Sequence, residues 1–110
     1  MRWFLQQVWD FALKAWPHET PGQELNLAFT AKLLEEAGEA AREVFRLGKP
    51  RRLDEAAGTT EDLATEIGDV IFVLARLANV NGIDLGMAGE LALEKNRQRY
   101  LAQKGGGSDD

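Results

Sequence analysis

The chain has 110 residues, enough for one domain but not for two separate cores. Hydrophobic residues make up 45% and charged residues 28% of it, as in ordinary globular proteins, and a net charge of −5 argues against binding along a nucleic-acid backbone. The lack of cysteine excludes disulfides and thiol nucleophiles and is consistent with a cytoplasmic location. No apolar run approaches the roughly 18 residues that span a bilayer, so we expect no membrane partner.

Two helices are predicted in the N-terminal half of the chain. The first runs from about Arg2 to Trp16 and ends at Pro17, whose ring cannot continue a helix. After a loop rich in proline and glycine, a long helix runs from about residue 24 to 47. Gly48 and a nearby proline form its C-terminal stop.

Two further helices are predicted in the C-terminal half. Thr59 or Thr60 can cap the third helix, which ends at the pair Asn81-Gly82. Asp84 can cap a fourth helix over about 85–103. The pattern therefore predicts an all-α, four-helix domain over residues 1–104, followed by a flexible tail over 105–110.

Acidic side chains recur at helical spacing in the second and third predicted helices. At about 100° per residue, each acidic row borders an apolar face that has to be buried. The rows consist of Glu36, Glu39 and Glu43, and of Asp62, Glu66 and Asp69. The apolar face beside the first row consists of Leu33, Ala37, Ala40, Ala41, Val44 and Leu47.

Packing the two rows against each other would bring like charges together at a partly dry seam, which is unfavourable. Either raised pKa values or a bound cation would relieve that repulsion, and magnesium prefers such oxygen ligands. A solvated charged face is the alternative, since acidic helix flanks are common. A ferritin-like di-iron centre is disfavoured, because it needs Glu-x-x-His motifs on helices and His18 lies in a loop.

The segments Lys32–Val44 and Glu61–Leu85 resemble the MazG-type nucleotide pyrophosphohydrolases of the all-α NTP pyrophosphatase superfamily. The signature of that family is EExxE followed by ExxD. Here the first motif spans 35–39 and the second 66–69, with 26 residues (40–65) between them. The similarity continues into 94–100 and covers about two thirds of the chain.

The resemblance implies an enzyme that hydrolyses nucleoside triphosphates, ribo or deoxy, to the monophosphate and pyrophosphate. A role in removing unwanted nucleotides from the pool is an extension of that activity. It implies that Mg²⁺, with Mn²⁺ as a substitute, is held by Glu36, Glu39, Glu66 and Asp69. Glu35 would act with Glu36 in catalysis, as a further ligand or as the base that orients water. It also implies a homo-oligomer, either a dimer or a tetramer.

Cationic and polar residues are the second part of the implied site. Lys32 would touch a phosphate, or would form an ion pair with a glutamate one turn away. Lys95 and Arg99 match basic positions near the end of the family domain and would bind phosphate, or would belong to a solvated face. Asn96 is a weaker candidate for the same role. Lys49, Arg51 and Arg52 are weaker candidates for phosphate contacts, because basic residues in a loop are more often simply exposed to solvent.

The base pocket is expected near the start of the second helix. Trp16 and His18 resemble an aromatic stretch in the dCTP-cleaving relatives, where such residues stack on the base. Alternatively, Trp3, Trp9 and Trp16 anchor the first helix in the core.

Asn79 would contact a base in an oligomer, or would face solvent. Two other functions remain open: hydrolysis of phosphoribosyl-ATP on the same bundle, and a non-enzymatic helical module that binds a basic partner.

Overall fold

The computed structural model describes residues 2–20, 22–49 and 56–106, and this part of the chain folds into helices without a β-strand. The predicted all-α class is therefore confirmed. The first two helices begin and end within one residue of the predicted bounds. The helices are α1 (Arg2–Ala15), α2 (Gln23–Arg46), α3 (Thr60–Val80) and α4 (Leu85–Gly106).

Capping residues fix where α3 and α4 begin. The Thr59 hydroxyl accepts a hydrogen bond from the Asp62 amide (3.1 Å), and the Asp62 carboxylate accepts one from the Thr59 amide (3.3 Å). This reciprocal capping box satisfies amides that the first helical turn leaves free. Gly82 has a φ of 66°, which favours glycine, and Asp84 accepts from the Met87 amide to start α4.

The C-terminal boundary differs from the prediction. Because α4 continues to Gly106, the first two residues of the predicted tail are helical. The remainder of that tail, Arg51 and Arg52 lie outside the described residues.

An antiparallel pair formed by α2 and α3 is the centre of the fold. At one end of the pair, the side-chain amides of Asn26 and Asn81 hydrogen-bond to each other. At the other end, Leu47 and Gly58 form an isolated β-bridge that closes the connection. Helices α1 and α4 both pack on α3, so α3 contacts all three other helices.

The hydrophobic core of the chain is small. Only five hydrophobic residues among those described are buried, namely Val8, Ala12, Val73, Ala75 and Ala78. The radius of gyration is 18.2 Å, against about 13 Å for a compact chain of roughly 100 residues. Many large apolar side chains are exposed, including Trp3, Leu34 and Phe45, so the chain alone leaves much apolar surface in water.

The predicted burial of α2 is wrong in one respect. The helix turns Glu36 and Glu43 of its acidic row toward α3, where both are buried, while Glu39 is exposed and Val44 is 56% exposed. The expected apolar face therefore faces α3 only at its edge, through half-buried Leu33 and Ala40. This rotation places carboxylates inside the α2–α3 contact instead of beside it.

No single helix within the described ranges is long and apolar enough to cross a membrane. Helices α3 and α4 reach that length and composition only as a pair, and the pair is bent by 107° at its junction.

Candidate metal centre

Carboxylates from α2 and α3 meet where the two helices cross. One carboxylate oxygen from each of Glu36, Glu66 and Asp69 lies within 4.8 Å of the others. The same distance limit holds for one oxygen from each of Glu35, Glu36 and Glu39. Glu36 belongs to both groups and is buried, while Glu66 is half-buried. All five acids of the two sequence motifs therefore converge on one place.

Helical spacing explains why these side chains converge. Positions three and four residues apart share a helix face, so EExxE and ExxD each present two or more carboxylates to the same side. The antiparallel packing of α2 on α3 then brings those two sides together.

The electrostatic cost of bringing these carboxylates together is seen in the raised pKa values of two of them. Burial, and then the nearby charge of Glu39, raises the pKa of Glu36 above its ordinary value. The pKa of Glu66 is raised for the same two reasons, with the charges of Asp69 and Glu36 adding to them. Both shifts show that the ionised forms lack sufficient compensation from the protein itself.

The donor set suits a hard divalent cation. The Oε2 atoms of Glu36 and Glu66 are buried and have no hydrogen-bond partner, which is unusual for oxygens of ionisable groups. A divalent cation takes carboxylate oxygens and would satisfy both atoms while neutralising their charge. The acidic cluster can therefore hold a metal ion, as the sequence predicted.

Lys32 and Glu35 lie at the outer side of this cluster. The Lys32 Nζ atom is 2.8 Å from Glu35 Oε1 and 3.9 Å from Glu36 Oε1, and the Lys32 and Glu35 side chains are roughly half exposed. The hydrogen bond to Glu35 raises the pKa of Lys32, so its ammonium group remains charged at neutral pH. Both alternatives for Lys32 are thus compatible with its position: it forms the ion pair, and it borders open space.

A cavity of about 190 Å³ adjoins the cluster at Lys32. Aromatic rings form much of its wall, and Trp16 from the end of α1 is one of them. The structure therefore brings Trp16 and Lys32 to one cavity, although they come from different parts of the sequence. Its other lining residues are Glu19, Phe29, Phe72, Val73 and Arg76.

Arg76 is a residue that the sequence analysis missed. It is only 3% exposed, forms an ion pair with Glu19, and lies 4.9 Å from the ring centroids of Trp16 and Phe29. A signal for it exists in the sequence, because Arg76 is the only basic residue of α3. It follows Asp69 by two helical turns and so lies on the same side of the helix.

Other predicted residues are not brought to the cluster. His18 is exposed in the turn after α1, and Lys49 is exposed after α2. Lys95, Asn96 and Arg99 are exposed on α4, where the Asn96 side chain donates to the Ala92 carbonyl.

Asp62, which was expected in the acidic row, caps α3 instead, because its carboxylate is used by the backbone amide of Thr59. Among the tryptophans, Trp3 is 74%, Trp9 39% and Trp16 44% exposed, so none of the three is a core anchor within one chain.

Asn79 lies away from the acidic cluster. It is half-buried, its Nδ2 atom has no hydrogen-bond partner, and it lines a separate cavity of about 460 Å³ between α1, α3 and the start of α4. Asn79 is thus not simply exposed to solvent in the single chain, and a contact with a base in an oligomer stays a prediction.

The fold and the site together define an all-helical protein with a candidate carboxylate metal centre between two antiparallel helices. Comparison with known families identifies the group to which it belongs. The model of the MazG nucleotide pyrophosphohydrolase domain matches residues 25–101, and the chain belongs to this family. The match includes most of α2, all of α3 and most of α4, and hence all five acids of the cluster.

A curated relative from Bacillus subtilis (strain 168), described as uncharacterized protein YpjD, is 45% identical over 75 residues. The aligned part covers 66% of this chain and 65% of the relative, so the chain matches a little under two thirds of that protein. No solved structure matches the chain.

Proposed function

We propose that this chain is a Mg²⁺-dependent hydrolase that converts nucleoside triphosphates, ribo or deoxy, to the monophosphate and pyrophosphate. The observation that carries the proposal is the carboxylate cluster, whose buried Glu36 and Glu66 oxygens lack protein partners. Membership of the MazG family supports the same reaction class. Removal of non-standard or excess nucleotides is the cellular role that this activity would serve.

Four carboxylates are proposed to hold the cation, with Mn²⁺ as a possible substitute for Mg²⁺. Glu36 and Glu39 would bind from α2, and Glu66 and Asp69 from α3. When bound, such an ion neutralises phosphate charge, polarises the phosphoryl oxygen and lowers the pKa of a bound water. The protein then has mainly to position the reactants, which agrees with a chain that has no cysteine.

Glu35 is proposed to orient the attacking water, or to complete the metal shell together with Glu36. It belongs to the same carboxylate group as Glu36 and Glu39, yet its side chain is 56% exposed. A carboxylate in that position can accept a hydrogen bond from water while the other four acids would bind the metal. The Lys32 ammonium group, 2.8 Å away, would hold Glu35 in place until a phosphate competes for it.

The substrate is proposed to extend from the cluster into the aromatic cavity. Lys32 stands between the two and would contact a phosphate, while Trp16 would face the nucleoside. The exposed α4 residues Lys95, Asn96 and Arg99, and His18, are proposed to reach phosphate or base only in an assembly of copies.

Self-association as a dimer or tetramer is the second part of the proposal. The small core and the exposure of Leu34 (70%) and Phe45 (80%) on α2 support it. Sedimentation velocity over a hundredfold range of concentration tests it. Phe45→Asp is expected to shift the distribution toward smaller species, and a monomeric wild-type chain at every concentration would refute it.

The activity is tested with a panel of normal and damaged nucleoside triphosphates in Mg²⁺ or Mn²⁺, with detection of pyrophosphate. Phosphoribosyl-ATP belongs in the panel, because it is the alternative substrate for this fold. Glu39→Gln and Asp69→Asn are expected to lose more than a hundredfold in kcat/KM, while Arg42→Lys, an exposed position on α2, retains activity. If no nucleoside triphosphate in the panel releases pyrophosphate, the proposed reaction is wrong, and release from phosphoribosyl-ATP alone would favour the alternative.

A further inference from the structure

We propose that Arg76, held by Glu19, contacts the edge of the nucleobase and so contributes to the choice of substrate. This inference rests on the proposed function, since it concerns how a nucleotide lies beside the acidic cluster. It concerns two residues outside the EExxE and ExxD motifs.

The surroundings of Arg76 are unusual for an arginine. Its side chain is almost completely buried between the rings of Trp16 and Phe29, and Glu19 is its charge partner. The Nε atom of the same guanidinium has no hydrogen-bond partner. A buried donor without an acceptor is costly, and few such groups occur in folded proteins.

A purely structural role does not account for these contacts well. Burying an ion pair brings little net stability, because desolvation opposes the attraction, and apolar residues often serve as well. Arg76 and Glu19 moreover line both the 190 Å³ cavity and a second cavity of about 140 Å³. The pair thus lies in the wall of open space instead of in a filled core.

The direction in which a substrate can extend from the cluster leads to Arg76. Toward the C-terminal end of α2, the seam is closed by Arg46, which hydrogen-bonds to Glu43 and to the Ala56 carbonyl. Toward the N-terminal end lies the aromatic cavity. Arg76 follows Asp69 by two turns of α3, a rise of about 10 Å, which is comparable to the length of a nucleoside.

The chemistry of the pair suits the edge of a base. A guanidinium only donates hydrogen bonds, and would therefore contact a carbonyl oxygen or an unprotonated ring nitrogen. The Glu19 carboxylate only accepts, and its second oxygen would take an amino or imino N–H of the same base. The nearby rings of Trp16, Phe29 and Phe72 provide apolar faces for the remainder of the base.

The test compares substrates with and without a base. Arg76→Lys keeps the positive charge but loses the planar fork of donors. For the preferred nucleoside triphosphate, kcat/KM is expected to fall about tenfold to a hundredfold, the effect of one hydrogen bond to a charged group. For ribose 5-triphosphate, which has no base, the change is expected to stay below about threefold. Arg42→Lys serves as the matched control on an exposed arginine.

Equal losses on both substrates, or no loss on either, would overturn the inference. Should Arg76→Lys fail to fold by circular dichroism, Glu19→Gln gives the same comparison while retaining an acceptor for Arg76. The expected pattern is again a loss restricted to the substrate that carries a base.

A binding measurement separates this inference from the proposed reaction. Isothermal titration of the corresponding nucleoside monophosphate needs no hydrolysis, and Arg76→Lys is expected to weaken binding at least tenfold. If the wild type binds the monophosphate but hydrolyses no triphosphate, and Arg76→Lys weakens that binding, the reaction is refuted and the base contact is supported. Equal affinity of wild type and variant would refute the base contact alone.

Discussion

The stability of the protein is expected to depend on Mg²⁺, because the acidic cluster is poorly compensated by the rest of the chain. Glu66→Gln tests this dependence. The substitution removes one of four carboxylates that would hold the ion, and nearly preserves the size of the side chain. The cation then loses a charged ligand, and the remaining acids lose part of their mutual repulsion.

The size of the effect follows from binding linkage. At a Mg²⁺ concentration 100 times the dissociation constant, binding stabilises the folded state by about 2.7 kcal/mol. If the variant binds 100-fold more weakly, the same concentration contributes only about 0.4 kcal/mol. For a domain of this size, each kcal/mol corresponds to roughly 4–8 °C in melting temperature, so the increments differ clearly.

Differential scanning calorimetry at pH 7.5, with and without Mg²⁺, measures both increments at one fixed protein concentration. Glu61→Gln is the matched control, since Glu61 is exposed on the same helix and lies outside the cluster. Its Mg²⁺ increment should equal that of the wild type. An equal increment in Glu66→Gln, or none in the wild type, would show that the cluster is not the metal site.

Three further predictions concern the free energy of unfolding. Without divalent metal, the free energy of unfolding is expected to fall as the pH rises from about 4.5 toward the raised folded-state pKa values of Glu36 and Glu66. The reason is that the folded state binds more protons than the unfolded state across that window. Denaturant titrations at several pH values measure this dependence, and a rise in stability would contradict it. Gly38→Ala should stabilise α2 by about 0.5–1 kcal/mol in urea, since a Cβ there meets nothing within 4 Å in the chain. A loss of stability would instead place Gly38 at a contact between copies. Thr59→Ala should cost about 1 kcal/mol through the lost α3 cap, and an unchanged urea midpoint would refute that role.

Local features of the fold could be predicted from the sequence because their causes are local. The ends of α1 and α2 follow from nearby prolines and glycines, and the start of α3 follows from Thr59 and Asp62. The acidic cluster is equally local within each helix, since residues three and four apart must share a face. Only the meeting of the two faces required the tertiary structure.

The orientation of α2 could not be predicted, because two of its sides carry apolar residues. One side includes Leu33 and Ala40, and another side, roughly a third of a turn around the helix, includes Leu34 and Phe45. A helical period shows that an apolar face exists but does not choose between two such faces.

Arg76 was missed for a different reason. An isolated basic residue in an apolar helix acquires its significance from residues distant in sequence, in this case Glu19 and Trp16.

The exposed side of α2 follows from the way in which this helix serves the acidic cluster. In a simple bundle, apolar side chains would fill the α2–α3 contact, but here Glu36 and Glu43 occupy part of it. The hydrophobic effect still favours burial of Leu34 and Phe45, which are 70% and 80% exposed in the single chain. Since the core within one chain is small, the proposed self-association would bury these residues and supply stability that the carboxylates do not. A metal centre between α2 and α3 and an apolar contact between copies would then be two consequences of a single helix orientation.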